Sequence, residues 1–281
     1  MLQIEEMRLI KTVKELKTIL AAATGSVGLV PTMGAIHQGH VALLTKARSD
    51  CGTVVASIFV NPHQFNIKND YLNYPKNLST DLEIMENSGV DIVFKPNIEE
   101  IYPNSFTTTV NVKSLSDRLE GAFRPGHLDS VATIVIKLLN ICQPNFVYFG
   151  QKDIQQLLMI KRMIIDLNIQ TNLVSIDTVR DKDGLALSSR NNHLTEAQKQ
   201  SALGLYSSLK SASNLSRNGE KSANKIKSEM EQILLSHNLD IDYLAICDSE
   251  TLDEVTYING AALAVIAAYC GNIRLIDNML I

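Results

Sequence analysis

The chain has 281 residues, of which 45% are hydrophobic and 20% charged, and its formal net charge is −4 at pH 7. The composition is typical of a globular protein with a substantial core and excludes a disordered one. Because the chain has no block of Lys or Arg, we expect neither a nucleic acid partner nor a membrane partner. The acidic N-terminal segment MLQIEEMRLI, the absence of a bilayer-length apolar stretch and four scattered cysteines predict a cytoplasmic protein with reduced, buried thiols.

From residue 27 to about residue 178 the sequence alternates between predicted strands and predicted helices. Short apolar, β-branched runs indicate the strands, and apolar residues at helical spacing indicate the helices. The predicted strands are residues 27–30, 53–60, 90–94, 146–149 and 173–179, and the predicted helices are residues 39–48, 79–88, 130–142 and 154–167. The first strand is expected to end at Pro31, because proline donates no ladder hydrogen bond. The alternation predicts a doubly wound parallel α/β domain over residues 1–178.

The pattern changes after the Asp183-Gly184 turn. Thr195 and Gln198 form a capping box that begins one helix, and a polar stretch at residues 213–221 precedes another. Strand-like runs then follow at residues 241–247, 262–268 and 273–276. These features predict a second, smaller α+β domain over residues 179–281.

Ligands of open α/β sheets bind outside the carboxyl ends of the strands, so the loops there are candidate sites. Residues 31–40, PTMGAIHQGH, link a strand to a helix start, where free backbone N–H groups and the helix dipole attract phosphate. The glycine spacing imitates a P-loop, but His40-Val41 stands where Lys-Ser or Lys-Thr is required. His37 and His40 are neighbours on a helical turn and could donate to phosphate. Ordinary histidines or a metal site remain equally open interpretations at this point.

Further loops carry polar side chains, and each has a simpler interpretation beside the functional one. Residues 61–65, NPHQF, offer neutral amides for hydroxyl and carbonyl groups, or form a Pro-anchored turn. Residues 149–153, FGQKD, offer a cation for phosphate and a carboxylate for ribose, or a solvated charge pair. Residues 185–191, LALSSRN, could clamp a triphosphate or serve as a Ser-rich linker. Residues 120–127, EGAFRPGH, add an Arg and a His whose role is not assigned.

Taken together, these motifs resemble the pantothenate synthetase (pantoate–β-alanine ligase) family, which belongs to the His-x-Gly-His nucleotidyltransferases related to class I aminoacyl-tRNA synthetases. The resemblance covers essentially the whole chain. Its motifs, in the family's order and spacing, are Pro31-Thr-Met-Gly, His37-x-Gly-His40, Asn61-Pro-x-Gln64-Phe, Arg124-Pro-Gly-His127, Gly150-x-Lys152-Asp153 with Gln155-Gln156, Leu187-Ser-Ser-Arg190 and Arg274-Leu-Ile-Asp277-Asn.

The resemblance implies a Rossmann-like ATP domain, a smaller C-terminal lid domain and a homodimer. It also implies an AMP-forming ligase that condenses (R)-pantoate with β-alanine. ATP would activate pantoate as pantoyl adenylate with release of pyrophosphate, and β-alanine would then displace AMP to give pantothenate. Mg²⁺ would accompany the ATP, and no metal site made of protein ligands is expected.

The resemblance also assigns residues. The catalytic residues would be His40, helped by His37, at the leaving pyrophosphate, and Lys152 at the α-phosphoryl group. Pantoate would be held by Gln64, Gln156 and Asn61, with Gln64 also near β-alanine. Arg190 would add positive charge when the lid closes. The ATP site would be lined by Met33, Gly34, Ala35, Ile36, His37, Gln38, Gly39, His40, Gly150, Gln151, Lys152, Asp153, Val179, Leu187, Ser188, Ser189 and Arg190.

The chain departs from the family pattern at three places. Gln151 stands where many members have Glu, and Ile36 stands where Leu is usual. Both changes are mild. Residues 128–130, LDS, follow the Arg-Pro-Gly-His motif where Phe-x-Gly is common, which raises a question about how that loop packs.

Two other functions compete with the ligase interpretation. A nucleotidyltransferase that acts on a phosphorylated acceptor would need extra cations, whereas residues 61–65 offer only amides and one histidine. A regulatory nucleotide-binding protein without activity should have lost one of His37, His40, Lys152 or Arg190. All four are present, and the ligase interpretation is preferred.

Overall fold

The computed structural model describes residues 7–66 and 71–281. These residues form two compact units. The first unit contains the described residues up to Gln151 together with Gln156–Asp177, and the second contains Lys152–Gln155 and Thr178–Ile281. The short segment Lys152–Gln155 therefore belongs to the second unit, although in sequence it lies between two parts of the first unit.

The first unit is built on a six-stranded parallel sheet with the order β1-β4-β3-β2-β5-β6. The strands are β1 Arg8–Ile10, β2 Val27–Thr32, β3 Thr53–Ile58, β4 Ile92–Phe94, β5 Phe146–Gly150 and β6 Asn172–Ile176. Every residue of β3 is buried, as expected for a strand covered on both faces. The strand order reverses between β2 and β5, and ligands of such sheets bind at this point, beyond the carboxyl ends.

Helices connect the strands of this sheet. They are α1 Val13–Ala21, α2 Gln38–Asp50, α3 Leu78–Asn87, α4 Ile98–Ile101, α5 Glu120–Phe123, α6 His127–Cys142 and α7 Ile154–Asp166, with 3-10 turns at Pro62–Gln64 and Gln151–Asp153. One hydrophobic cluster joins Val30 of β2, Val54 of β3, Leu44 of α2 and Met85 of α3. This cluster packs the middle of α2, and the candidate site lies at the start of the same helix.

Proline at position 31 does not end the first predicted strand, so that expectation is wrong. Strand β2 continues to Thr32 and pairs with β3 over its whole length. Its pairing with β5 on the other side covers only Gly28 and Leu29. Pro31 therefore has a paired strand on one side only. Proline, which lacks an N–H donor, is tolerated in a strand where no neighbouring strand requires that donor.

Other boundaries also differ from the predictions. Strand β1 and helix α1 were not predicted. Strand β1 has three residues and buries only Ile10, whereas α1 has apolar residues at helical spacing around the buried Leu16, a pattern that the sequence analysis did not use. The strands predicted over residues 53–60 and 173–179 end earlier, at Ile58 and Ile176. Helix α6 begins at His127, three residues before its predicted start.

The second unit combines a three-stranded antiparallel sheet with two long helices. The strands β7 Asp240–Asp248, β8 Ala262–Cys270 and β9 Ile273–Leu280 lie in the order β7-β8-β9, and the helices are α8 Glu196–Arg217 and α9 Ala223–Ser236. A 3-10 turn spans Ser189–His193. The capping box of Thr195 and Gln198 begins α8 as predicted. The predicted fold class, a doubly wound parallel sheet with a smaller α+β unit, is confirmed.

Two features of the second unit differ from expectation. The polar stretch at residues 213–221 is not wholly a connection, because α8 runs on to Arg217 and Ser213 is buried. Strand β9 extends to Leu280, four residues beyond its predicted end. All four cysteines are buried, as predicted. In the described part of the chain, no helix has both the length and the apolar character needed to cross a bilayer.

Candidate active site

The two histidines of the His-x-Gly-His motif lie at the start of α2, directly after the loop that follows β2. His37 is the N-cap residue of the helix, and His40 is its third residue. Their rings pack with centroids 4.1 Å apart. The prediction that His37 and His40 are neighbours on a helical turn is thus confirmed.

Backbone hydrogen bonds determine which ring nitrogen of each histidine carries the proton. The N–H of Gly39 donates to Nδ1 of His37 over 3.1 Å, and the N–H of His37 donates to Nδ1 of His40 over 3.3 Å. An imidazole nitrogen that accepts a hydrogen bond is unprotonated, so the proton of each neutral ring lies on Nε2. Each histidine is thereby set up as a hydrogen-bond donor through Nε2.

The expectation of free backbone N–H groups is wrong for most of this loop. The N–H of Gly34 donates to Oγ1 of Thr32, and the N–H of His40 donates to the carbonyl oxygen of His37. Ala35 and Ile36 donate to the carboxylate of Asp81. With Gly39 and His37, six amides of the loop therefore bond within the chain, and the imidazoles are the side-chain donors that this loop offers to a phosphate.

The loop after β3 presents two buried amide side chains. Asn61 caps the 3-10 turn by accepting from the N–H of His63, and its Nδ2 donates to the carbonyl oxygen of Ser130 over 3.3 Å. Both ends of the Asn61 amide thus have partners. Gln64 is 9% exposed and lies at the end of the same turn. The side chain of Gln64 is therefore buried at the end of this turn.

The loop at residues 120–127, to which the sequence assigned no role, contacts the backbone of Gln64. Nδ1 of His127 lies 2.8 Å from the carbonyl oxygen of Gln64, and Nη2 of Arg124 donates to the same oxygen over 3.4 Å. Arg124 also lies 3.5 Å from the carboxylate of Glu120. These contacts hold Gln64 in place.

The second unit contains a pocket lined by three of the predicted nucleotide residues, Lys152, Ser188 and Arg190. Arg274 and Asp277 of β9 line the same pocket, although no role beyond membership of a family motif was predicted for them. The pocket therefore collects three cationic side chains, which suits a phosphate group.

Acidic partners hold the arginines of this strand region. Nε of Arg274 donates to Asp242 over 2.7 Å. The carboxylate of Asp277, which is almost fully buried, receives two bonds from the guanidinium of Arg180, at 2.5 and 2.9 Å. The ring of Tyr206 lies 4.5 Å from the same guanidinium. This buried, bidentate pair fixes one wall of the pocket.

The remaining predicted residues lie at the ends of strands and in turns. Ser188 accepts from the N–H of Arg190, which is exposed, and the carbonyl oxygen of Val179 accepts from the N–H of Leu187. Gln156 is half-buried in α7. Across residues 7–66 and 71–281, no cluster of three His, Cys, Asp or Glu side chains could hold a metal ion.

Comparison with known proteins identifies the family. The profile of the family described as pantoate-beta-alanine ligase matches residues 8–280. The chain is 46% identical over 278 residues to a pantothenate synthetase of Thermosipho africanus, covering 98% of this chain and 100% of that protein. It is also 46% identical over 279 residues to a pantothenate synthetase of Moorella thermoacetica, covering 98% and 99%.

Solved structures agree with these sequence matches. The crystal structure of pantothenate synthetase from Thermus thermophilus superposes with a TM-score of 0.92 at 42% identity, covering 97% of this chain and 99% of that one. The pantoate-beta-alanine ligase of Francisella tularensis, solved with beta-gamma ATP and beta-alanine, gives a TM-score of 0.80 at 34% identity, with 98% of each chain covered. The chain therefore belongs to the pantoate–β-alanine ligase family of enzymes.

Proposed function

We propose that this chain joins pantoate to β-alanine at the expense of ATP, in two steps. In the first, a carboxylate oxygen of pantoate bonds to the α-phosphorus of ATP, and the bond from that phosphorus to the pyrophosphate oxygen breaks. In the second, the amine of β-alanine bonds to the acyl carbon of pantoyl adenylate, AMP leaves with the bonding electrons, and the amine releases a proton. The products are pantothenate, AMP and pyrophosphate.

The arrangement of His37 and His40 is the observation that carries this proposal. A carboxylate is already ionised near neutral pH, so the first step needs no base to activate its nucleophile. Negative charge instead builds on the pyrophosphate, and donors aimed at it lower the barrier. The Nδ1 contacts of both histidines leave Nε2 as the protonated nitrogen. We assign His40, assisted by His37, to the departing pyrophosphate.

The cationic pocket of the second unit supplies the other charges. Lys152 would stabilise the α-phosphoryl group as it becomes five-coordinate, and Arg190 would add positive charge to the phosphates. The wider ATP site assigned to residues 33–40, 150–153, 179 and 187–190 is proposed on the same grounds. A role as a lid for residues 179–281, beside an ATP- and pantoate-binding domain over residues 1–178, also stays a proposal.

Neutral amides suit the other substrates. Gln64 and Gln156 would bind the hydroxyl and carboxylate groups of pantoate, with Gln64 also near β-alanine. Asn61, the third residue assigned to pantoate, has partners at both ends of its amide and supports the turn that carries Gln64. Burial of Gln64 also limits the water that could hydrolyse the adenylate.

Mg²⁺ would enter bound to ATP, because this ion is commonly held by substrate phosphates with few protein ligands. The exposed carboxylate of Asp153 is proposed to hold the ribose hydroxyls of ATP. A homodimer is proposed from the family resemblance, and a cytoplasmic location from the reduced thiols. Light scattering of the purified protein would test the dimer.

The experiment that tests the function offers the purified protein ATP, Mg²⁺, pantoate and β-alanine and measures AMP. We expect AMP only when all four are present, and chelation by EDTA should abolish it. Pantoate alone should support exchange of labelled pyrophosphate into ATP, since the first step does not need β-alanine. Absence of AMP from the complete mixture would overturn the proposal. The alternative, a transferase for phosphorylated acceptors, is not favoured by identities of 44–46% to pantothenate synthetases.

A further inference from the structure

Asp81 is a buried acid that lies outside every sequence motif singled out above. It is 4% exposed and lies in the first turn of α3. Met85, four residues later, is fully buried in the hydrophobic cluster beneath the sheet. Residues four apart share one face of a helix, so Asp81 occupies a position where an apolar side chain would be expected. A charged group at such a position needs a specific set of partners.

The partners of Asp81 are backbone amides of the loop that leads to the histidines. Oδ2 accepts from the N–H of Ala35 over 3.0 Å, and Oδ1 accepts from the N–H of Ile36 over 2.8 Å. Both oxygens are thus used on two consecutive residues of a segment 45 and 46 positions away in sequence. Hydrogen bonds to an ionised carboxylate are stronger than those between neutral groups. Asp81 therefore determines where this segment lies.

The loop adopts a backbone conformation that needs such support. Gly34 and Ala35 have φ angles of 81° and 52°, in the left-handed region, which is unfavourable for alanine. A Cβ atom on Gly34 would lie 2.9 Å from Oδ2 of Asp81 and 3.3 Å from Cγ2 of Ile58. The carboxylate therefore approaches the backbone so closely that only glycine fits at position 34. The carboxylate and the loop form one unit of structure.

We propose that Asp81 is a positioning residue for adenylation: by holding Ala35 and Ile36, it fixes the direction from which the chain enters His37 and α2. His37 follows Ile36 directly, and its backbone N–H anchors the ring of His40. A shift of the loop would therefore move both imidazoles together. This inference rests on the proposed role of the two histidines and adds the residue that aligns them.

The test substitutes Asp81→Asn, which keeps the shape and leaves one acceptor, while the new NH₂ group faces an amide N–H. Misplacement of a catalytic group by about 1 Å can lower the reaction rate about 100-fold. We therefore expect the rate of pantoate-dependent pyrophosphate exchange to fall by about 10- to 100-fold. The second step, measured with synthetic pantoyl adenylate and β-alanine, should keep most of its rate. A general loss of packing would lower both rates.

Asp91→Asn is the matched control. Asp91 also accepts a backbone N–H, from Val54 over 2.7 Å, and in addition pairs with Arg48, but it does not contact the histidine loop. This variant should lose stability and retain exchange. If Asp81→Asn does not fold, Asp81→Glu, which keeps the charge but displaces the carboxylate from Ala35 and Ile36, is judged by the same two rates.

The outcomes separate this inference from the proposed function. If the wild-type protein exchanges pyrophosphate and a folded Asp81→Asn protein does so at the same rate, the positioning role alone is rejected. Equal losses in both steps would reject it as well. Absence of exchange in the wild-type protein would instead reject the proposed function.

Discussion

The side-chain amide of Asn278 donates a hydrogen bond from Nδ2 to the backbone carbonyl oxygen of Lys152 over 2.9 Å. The two residues are 126 positions apart in sequence and belong to the same unit. Asp277, next to Asn278 in β9, accepts the N–H of Asn278 and holds Arg180 through its carboxylate. One short stretch of β9 thus supports both the wall of the cationic pocket and the lysine assigned to the α-phosphoryl group.

Asn278→Asp should lower pyrophosphate exchange about 10-fold, because it removes the donor and sets a carboxylate against the carbonyl oxygen of Lys152. One hydrogen bond is worth about 1 kcal/mol, a factor of about five, and repulsion between the new carboxylate and the carbonyl oxygen brings the expected loss to about tenfold. Gln198→Glu is the control: it removes a similar donor, from Nε2 to the carbonyl oxygen of Cys270, away from the pocket. Equal activities of the two variants would contradict support of Lys152 by Asn278.

Removal of the acid of the buried ion pair should destabilise the second unit. Asp277→Ala leaves the Arg180 guanidinium buried without its carboxylate, and breaking such pairs costs about 3–5 kcal/mol. Glu254→Ala breaks an exposed pair with Lys227 in the same unit and should cost less than about 1 kcal/mol. Urea denaturation of both variants measures the difference. Similar midpoints would show that the pair with Arg180 contributes no more than an exposed one.

Stability should fall in alkaline solution. Burial raises the pKa of Tyr102 and that of the Cys142 thiol to about 12, and burial also raises the pKa of Tyr148. A raised folded-state pKa means that the neutral form is favoured by folding. The contribution to stability is therefore complete below the ordinary values, 9.0 for cysteine and 10.0 for tyrosine, and is lost as the pH rises toward 12.

The measurement for this prediction is the free energy of unfolding between pH 8 and about 11. Tyr102→Phe removes one titrating phenol and should flatten the decline above pH 10. Tyr257→Phe, at a tyrosine that is 56% exposed, should leave the slope unchanged. Parallel curves for the wild-type and Tyr102→Phe proteins would show that burial of this phenol does not couple to folding.

The sequence alone predicted much of the fold, since the alternation of apolar strands and amphipathic helices is a local signal. The prediction omitted β1, which is three residues long and buries only Ile10, and α1, whose apolar residues at helical spacing were not used. In the proposed site, the histidines, Lys152 and Arg190 were singled out because their motifs are short and continuous. Asp81 and Asn278 were not assigned roles, because each acts on backbone groups 45 or more positions away, and no local pattern records such a contact. Asp81 also accounts for two of the loop amides that were expected to be free, those of Ala35 and Ile36.

The two nitrogen atoms of His40 can be tested separately, because different amides imitate them. In His40→Asn the new carbonyl oxygen can replace Nδ1 and still accept the N–H of His37, but nothing replaces the donor at Nε2. We expect exchange to fall by about 10²- to 10³-fold with little change in stability, as is usual when a transition-state donor is lost. His40→Gln places an NH₂ group near the position of Nε2 and should retain more activity than His40→Asn.

The control is His237→Asn, at a residue of the second unit that contacts the carbonyl oxygen of Ile233. This variant should have no effect on exchange. If His40→Asn keeps near-normal exchange, or if Gln is no better than Asn, the donor to the pyrophosphate is not Nε2 of His40, and His40 serves only to anchor the start of α2.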